Sequence, residues 1–260
     1  MNFPRKLWVI LCGLALTGIG WGAAPETLSV AAAADLRFAL DEVVREFQKV
    51  HTNITVQVSY GSSGNFHAQL TQGAPFDLFF SADVSYPARL VAGGLAKKET
   101  QFSYGIGRVV LWVPAQSAID VARLGIESLN HGSVRRIAIA NPEHAPYGQA
   151  ALAALKKLGV YEKVRNRLIF GESVAQAAQF VDTGSAEIGV IALSLATAPS
   201  MAGKGRMWEI PADAHPRLEQ GGVILSATHH PQAAAALRAF VLGESGRSVL
   251  KRYGFSMPVE

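Results

Sequence analysis

The sequence predicts a two-lobed α/β protein in which each lobe is a mainly parallel sheet flanked by helices, with a cleft between the lobes. Short apolar runs alternate with segments of helical periodicity along most of the chain, which is the pattern of parallel strands covered by helices. An apolar run at 108–114 interrupts this alternation, which then starts afresh. The chain beyond residue 24 is also long enough to fill two cores.

The first 24 residues have the composition of a cleavable export signal. Two cations, Arg5 and Lys6, precede an apolar stretch at 7–16, and small residues follow as far as Ala24. The apolar stretch is shorter than the roughly 20 residues that a membrane-spanning helix needs. We therefore predict a signal peptide over 1–24, export to the periplasm and no stable insertion in a membrane.

Composition excludes several classes of site. The single cysteine, Cys12, lies inside the predicted signal, so the mature chain has no thiol for a disulfide, a metal or a nucleophile. Loss of Arg5 and Lys6 with the signal reduces the formal net charge from +4 to +2. Such a weak positive charge argues against nucleic acid as a partner.

We also expect the mature protein to be a monomer and to have no cofactor.

The first lobe is predicted to begin with three strands and two helices. Its strands are short apolar runs, and its first helix places Phe38, Val43, Val44 and Phe47 on one face. In chain order these elements are a strand at 27–33, a helix at 37–50, a strand at 54–60, a helix at 65–72 and a strand at 76–82.

The second lobe is predicted to start with the apolar strand at 108–114. The helix that follows its second strand is expected to stop at Gly159. The further elements are strands at 136–140, 168–170 and 186–192 and helices at 147–158 and 174–183.

The tail, with a strand at 223–227 and helices at 231–242 and 244–253, is assigned back to the first lobe. The first lobe then comprises 27–107 and 220–260, and the second comprises 108–219. Paired glycines permit backbone rotation, so hinge crossings are predicted near 105–109 and 220–222.

Four predicted strand-to-helix junctions are candidates for a ligand site, because helix N-termini present unpaired N–H groups and a positive dipole end. Two junctions come from each lobe, and none supplies Lys or Arg. Neutral dipoles alone can hold a fully ionised oxyanion. The alternative is that Asp35, Ser63 and Ser173 only cap helices and that Tyr147 only packs. The junctions are Ala34-Asp35, Gly61 to Gly64, Asn141 to Gly148 and Glu172 to Val174.

Six segments in order resemble the periplasmic molybdate-binding proteins of ABC transporters, and the resemblance runs over about 27–257. It implies the type II periplasmic binding protein fold, with molybdate or tungstate held between the lobes and delivered to a membrane permease. The segments are Val30 to Leu36, Tyr60 to Gly64, Gly73 to Phe79, Ser81 to Asp83, Asn141 to Gly148 and Lys251 to Phe255.

The resemblance also implies which residues hold the anion. Ser63 would give its hydroxyl and backbone N–H, and Tyr147 and the backbone N–H of Val174 would come from the second lobe. The remaining contact falls at Asp35, where family members often have Ser or Asn. Some members have a tyrosine where Ala192 stands, and Tyr147 would then replace that contact.

Asp35 is the residue that fits the resemblance least well, since a carboxylate beside a dianion costs several kcal/mol at low dielectric. Three arrangements are open. The side chain caps its own helix and offers only its N–H to the ligand, or it accepts a proton that the ligand carries, or it is itself protonated and donates. The second arrangement would favour hydrogen phosphate over molybdate.

The remaining alternatives are a receptor for phosphate or sulfate, a periplasmic hydrolase and an effector-binding domain of a transcription regulator. A hydrolase would use Ser63 with His144, but the run from Gly61 to Asn65 does not give the Gly-x-Ser-x-Gly pattern of a nucleophile elbow. The export signal argues against the regulator. We therefore expect a binding protein that is not an enzyme and has no direct protein–metal ligands.

Overall fold

The computed structural model describes residues 25–258, so the predicted signal peptide and Cys12 lie outside the described residues. The described strands are β1 (Glu26–Ala33), β2 (Ile54–Gly61), β3 (Leu78–Ser81), β4 (Phe102–Gly107), β5 (Val109–Pro114), β6 (Ile137–Ala140), β7 (Leu168–Gly171), β8 (Ile188–Ala192), β9 (Gly205–Glu209) and β10 (Leu218–Ile224). The α-helices are α1 (Arg37–Val50), α2 (Ser63–Thr71), α3 (Ser85–Ala92), α4 (Val121–Leu124), α5 (Pro146–Lys157), α6 (Tyr161–Val164), α7 (Val174–Asp182), α8 (Leu193–Ala196), α9 (Pro231–Leu242) and α10 (Glu244–Arg252).

The strands form two five-stranded sheets, in the orders β2-β1-β3-β10-β4 and β7-β6-β8-β5-β9. In the first sheet only β10 runs against the other four strands, since it pairs antiparallel with both β3 and β4. In the second sheet only β5 runs against the others. Each reversed strand is the first one after the chain passes from one sheet to the other. The predicted two-lobed α/β fold with mainly parallel sheets is therefore confirmed.

The chain passes to the second sheet at Arg108, between β4 and β5, and returns through residues 210–217, between β9 and β10. The predicted hinge at Gln220 to Gly222 is wrong, because these residues lie inside β10 and pair with β3 and β4. The glycines there allow close packing: a Cβ on Gly222 would lie 2.6 Å from the Phe79 carbonyl oxygen. We propose lobe boundaries at the two crossings, with 26–107 and 218–258 in the first lobe.

Helices cover the sheets and fix the ends of the strands. In α1 the side chains of Val43, Val44 and Phe47 are buried in the main core, and α1 contacts both α9 and α10 of the tail. Within 25–258, no helix is long and apolar enough to cross a membrane. The carboxyl ends of β1, β2, β6 and β7 lead into the four junctions predicted from the sequence, so the fold determines where those junctions meet.

Candidate functional site

A small cavity lies where the two lobes meet, and all four predicted site residues line it. Asp35 and Ser63 come from the first lobe, and Tyr147 and Val174 come from the second. The other lining residues are apolar or small, and none is Lys, Arg or His. The site therefore has no side-chain cation to neutralise a bound anion.

Three helices direct their N-termini at this cavity. Ser63 is the first residue of α2, Tyr147 is the second of α5 and Val174 is the first of α7. The first N–H groups of a helix have no partner inside the helix, and the dipole makes this end partly positive. Ser173 caps α7 by accepting a hydrogen bond from the backbone N–H of Gln176 at 3.4 Å. The convergence of these helix ends provides neutral donors for an anion.

The Ser63 hydroxyl is positioned to donate into the cavity. Ser62, rather than Ser63, caps α2 by accepting from the Asn65 backbone N–H, so the interpretation of Ser63 as a helix cap is wrong. Ser63 is 1% exposed, and its Oγ accepts the backbone N–H of Ala82 at 2.9 Å. Because the oxygen is held as an acceptor, the hydroxyl hydrogen stays free for a ligand.

Asp35 lies in a single 3₁₀ turn, Ala34–Leu36, and is 1% exposed. Its Oδ2 accepts from Nε2 of Gln220 at 2.6 Å, and no side-chain cap hydrogen bond is present at the start of this turn or of α1. Its Oδ1 has no hydrogen-bond partner of good geometry among the described residues. Burial raises the pKa of Asp35 to about 6, although hydrogen bonds from Gln220 and Tyr147 oppose that rise. The backbone N–H groups of Asp35 and Leu36 also help to lower the pKa of the carboxyl.

Tyr147 is 2% exposed, and its hydroxyl oxygen accepts from Nε2 of Gln220 at 3.2 Å. Burial, followed by the nearby Asp35 carboxylate, raises the pKa of Tyr147 well above its usual value. The phenol therefore stays protonated and keeps a hydrogen to donate.

Hydrogen bonds between the lobes hold the cleft closed around the cavity. The backbone N–H of Gly64 in the first lobe donates to the His144 carbonyl oxygen in the second at 2.9 Å. Ser194 of α8 donates its hydroxyl to the Asp35 carbonyl oxygen at 2.7 Å. The hydrogen bond between Gln220 and Tyr147 also joins the two lobes. Together these three contacts lie around the site and connect its two halves.

Several of these residues were missed by the sequence reasoning. Gln220, Ser194 and Tyr104, whose hydroxyl lies 2.8 Å from Oε1 of Gln220, were not proposed for the site, and Gln220 was placed in a hinge. The sequence contains no clear signal for Gln220, because Glu219 before it and the two glycines after it indicate a loop. Ala192 ends β8 and is not among the residues that line the cavity.

The two residues considered for a hydrolase, Ser63 and His144, are not paired with each other. No described hydrogen bond joins Ser63 to His144, whose Nε2 instead lies 3.2 Å from the carbonyl oxygen of Glu172 and 3.3 Å from its carboxylate. In the part of the chain that the structure describes, no cluster of three or more His, Cys, Asp or Glu could hold a metal ion.

Comparisons with known proteins identify the family of the chain. A family model described as bacterial extracellular solute-binding protein matches residues 28–256. The molybdate-binding protein ModA of Azotobacter vinelandii is 34% identical over 257 residues, which covers 99% of this chain and 100% of that protein. ModA of Rhodobacter capsulatus is also 34% identical over 257 residues, with 98% of each chain covered.

A solved structure gives the same result. The periplasmic molybdate-binding protein of Azotobacter vinelandii superposes with a TM-score of 0.83 at 32% identity, covering 89% of this chain and 100% of that chain. The resemblance inferred from the six sequence segments is thus confirmed.

Proposed function

The chain belongs to the family of bacterial extracellular solute-binding proteins, and on that premise we propose that it captures molybdate, and also tungstate, for an ABC importer. The observation that carries this proposal is the convergence of three helix N-termini, the Ser63 hydroxyl and the Tyr147 hydroxyl on a cavity without a cation. The relatives named as molybdate-binding proteins, matched over nearly the whole chain, support molybdate among the possible oxyanions.

We assign the contacts as follows. Ser63 gives its hydroxyl and its backbone N–H, Val174 gives its backbone N–H, and Tyr147 gives its hydroxyl. Asp35 gives its backbone N–H and, when its carboxyl is protonated, the hydrogen on that carboxyl. Each donor is fixed by packing before the ligand arrives, so binding requires little reorganisation.

Calorimetry on the mature protein, beginning at residue 25, tests the assignment of the ligand. Molybdate and tungstate are expected to bind tightly, and sulfate and phosphate to bind weakly or not at all. The buried Asp35 carboxylate is the one feature that favours a protonated oxyanion such as hydrogen phosphate, because it could accept a proton from the ligand. A preference for phosphate would overturn the proposal.

The cellular context follows from the same proposal. The protein works in the periplasm as a monomer, delivers the anion to the membrane permease of the importer, and performs no chemistry on it. Uptake of molybdate by cells that lack the protein, compared with complemented cells, tests this role.

Replacing Ser63 with alanine is expected to weaken molybdate binding by about 1 to 3 kcal/mol, because a buried anion loses one donor. This corresponds to a roughly 5- to 150-fold rise in Kd, measured by calorimetry at constant pH. Ser128→Ala is the matched control, since Ser128 is also buried but lies away from the cavity and has no described hydrogen-bond partner. An affinity unchanged in Ser63→Ala would mean that the anion is held elsewhere.

A further inference from the structure

Gln220 is a fully buried amide that contacts residues of both lobes at the edge of the site. It is 0% exposed within β10. Its Oε1 lies 2.8 Å from the Tyr104 hydroxyl, which also lies 3.0 Å from the Ser81 carbonyl oxygen. The orientation of the amide follows from Asp35, because an ionised carboxylate only accepts and therefore requires Nε2 on its side. Nε2 lies 2.6 Å from Oδ2 of Asp35 and 3.2 Å from the Tyr147 hydroxyl oxygen.

These contacts use all of the hydrogen-bonding capacity of the amide nitrogen. An amide nitrogen carries two hydrogens, and here one reaches the first-lobe carboxylate and the other reaches the second-lobe phenol. Oδ2 of Asp35 and one lone pair of Tyr147 are therefore engaged by Gln220. Oδ1 of Asp35 has no partner of good hydrogen-bond geometry among the described residues. The single Tyr147 hydrogen interacts with the Asp35 carboxyl in the ligand-free protein, and it is the hydrogen that a bound anion would take over.

We propose that Gln220 is a positioning residue of the oxyanion site, which turns Oδ1 of Asp35 and the hydroxyl hydrogen of Tyr147 toward the bound anion by holding Oδ2 and the phenol oxygen. This inference rests on the proposed function for its ligand. It explains how a carboxyl can lie in a site for a dianion: with Oδ2 held as an acceptor, a proton on Asp35 occupies Oδ1 and donates to the anion.

Among the side chains that surround the cavity, Asp35 is the group that titrates near neutral pH. Tyr104 of β4 and Tyr147 of α5 face it, and burial raises the pKa of both phenols well above the usual value. Gln220 of β10 and Ser194 of α8, which contact Asp35 directly, do not titrate in this range. No lysine, arginine or histidine lines the cavity.

The first test uses the ligand-free protein, so its result does not depend on the identity of the ligand. Gln220→Met keeps the volume of the side chain but removes both donors. Because the Gln220 hydrogen bond lowers the pKa of Asp35, the variant is expected to raise it. The titration is followed by carboxyl ¹³C NMR on aspartate-labelled protein, with the Asp35 resonance assigned by its loss in Asp35→Asn.

The second test is a double-mutant cycle with molybdate at pH 6. Gln220→Met is expected to raise Kd about tenfold, the effect of losing one well-placed hydrogen bond. The loss in Gln220→Met/Tyr147→Phe is expected to be smaller than the product of the two single losses, since Gln220 acts partly through the Tyr147 hydroxyl.

Two further variants separate positioning from general destabilisation. Tyr104→Phe removes the hydroxyl that lies 2.8 Å from Oε1 of Gln220 and 3.0 Å from the Ser81 carbonyl oxygen. It should shift the Asp35 titration in the same direction but by less, and it replaces Gln220→Met as the test if that variant does not fold. Ser128→Ala should leave both readouts unchanged. An unshifted Asp35 titration in both Gln220→Met and Tyr104→Phe, or independent losses in the cycle, would overturn the inference. Failure of the wild type to bind molybdate would instead overturn the proposed function.

Discussion

Replacing Gly64 with alanine is expected to lower the affinity for molybdate roughly a hundredfold while leaving the ligand-free fold intact. A Cβ on Gly64 would lie 2.6 Å from the His144 carbonyl oxygen and 2.9 Å from the His144 Cα. Both atoms belong to the backbone of the opposite lobe, so neither can move aside as a flexible side chain would. The lobes would have to separate at this edge of the cleft.

Separation of the lobes lowers the affinity for molybdate, because several contacts require the lobes to be closed at the same time. It breaks the hydrogen bond from the Gly64 N–H to His144, which measures 2.9 Å, and it draws the donors of α5 and α7 away from those of α2. Loss of two hydrogen bonds to a charged ligand, at about 1.5 kcal/mol each or more, gives the hundredfold estimate.

The stability of the ligand-free protein distinguishes blocked closure from misfolding. Gly64 lies in α2 without a positive φ, and alanine is a better helix former than glycine. The gain in helix propensity offsets part of the lost Gly64–His144 hydrogen bond, so the free energy of unfolding in urea should fall by no more than about 1 kcal/mol. Small-angle scattering with molybdate should show a more open particle. Gly132→Ala is the control, because nothing lies within 4 Å of a Cβ there. A normal affinity in Gly64→Ala would contradict the closed arrangement of the lobes as the binding state.

The sequence predicts best those elements whose stability is local. Helices α1 and α9 have the predicted bounds, since α1 carries a clear apolar face and Pro231 marks the first residue of α9. Strands β4 and β9 were not predicted. β4 contains two glycines in six residues and β9 is partly exposed, so their strand conformation depends on pairing with distant neighbours.

Strand β10, which carries the site residue Gln220, is also only partly predicted from the sequence. The predicted strand at 223–227 misses the first half of β10, because Gln220, Gly221 and Gly222 have the composition of a loop. The four junctions could be predicted, since helix starts follow local rules, and they do bring Asp35, Ser63, Tyr147 and Val174 to one cavity. The partner of Asp35 could not be predicted, because Gln220 is 185 positions away in the chain.

Asp35→Asn is expected to stabilise the ligand-free protein by about 3 kcal/mol at pH 8 and by nothing at pH 4. Burial raises the pKa of Asp35 from 3.8 to about 6, and each pKa unit corresponds to about 1.4 kcal/mol. Below about pH 4 the carboxyl is protonated in both the folded and unfolded states, so it has no effect. The unfolded state ionises first as the pH rises, and above about pH 6 the folded state bears the full cost of a buried charge.

Urea unfolding at pH 4, 6 and 8 measures this difference. Asp213→Asn is the matched control, because that aspartate is exposed and its ion pair with Lys157 lies at the surface, where such pairs contribute little. A stability difference for Asp35→Asn that does not change with pH would contradict the raised pKa.

The same carboxyl makes molybdate binding depend on pH. If the bound dianion requires a proton on Oδ1 of Asp35, the affinity of the wild type rises by up to about tenfold for each unit as the pH falls from 8 to 6, and levels off below. Asp35→Asn has an amide donor in the same place and no proton to take up, so its affinity stays constant over this range and exceeds that of the wild type at pH 8. Calorimetry in buffers of different ionisation enthalpy counts the protons directly: about one per anion for the wild type at pH 8 and none for the variant. A wild-type affinity that is constant over this range, without proton uptake, would mean that the carboxylate stays ionised beside the anion.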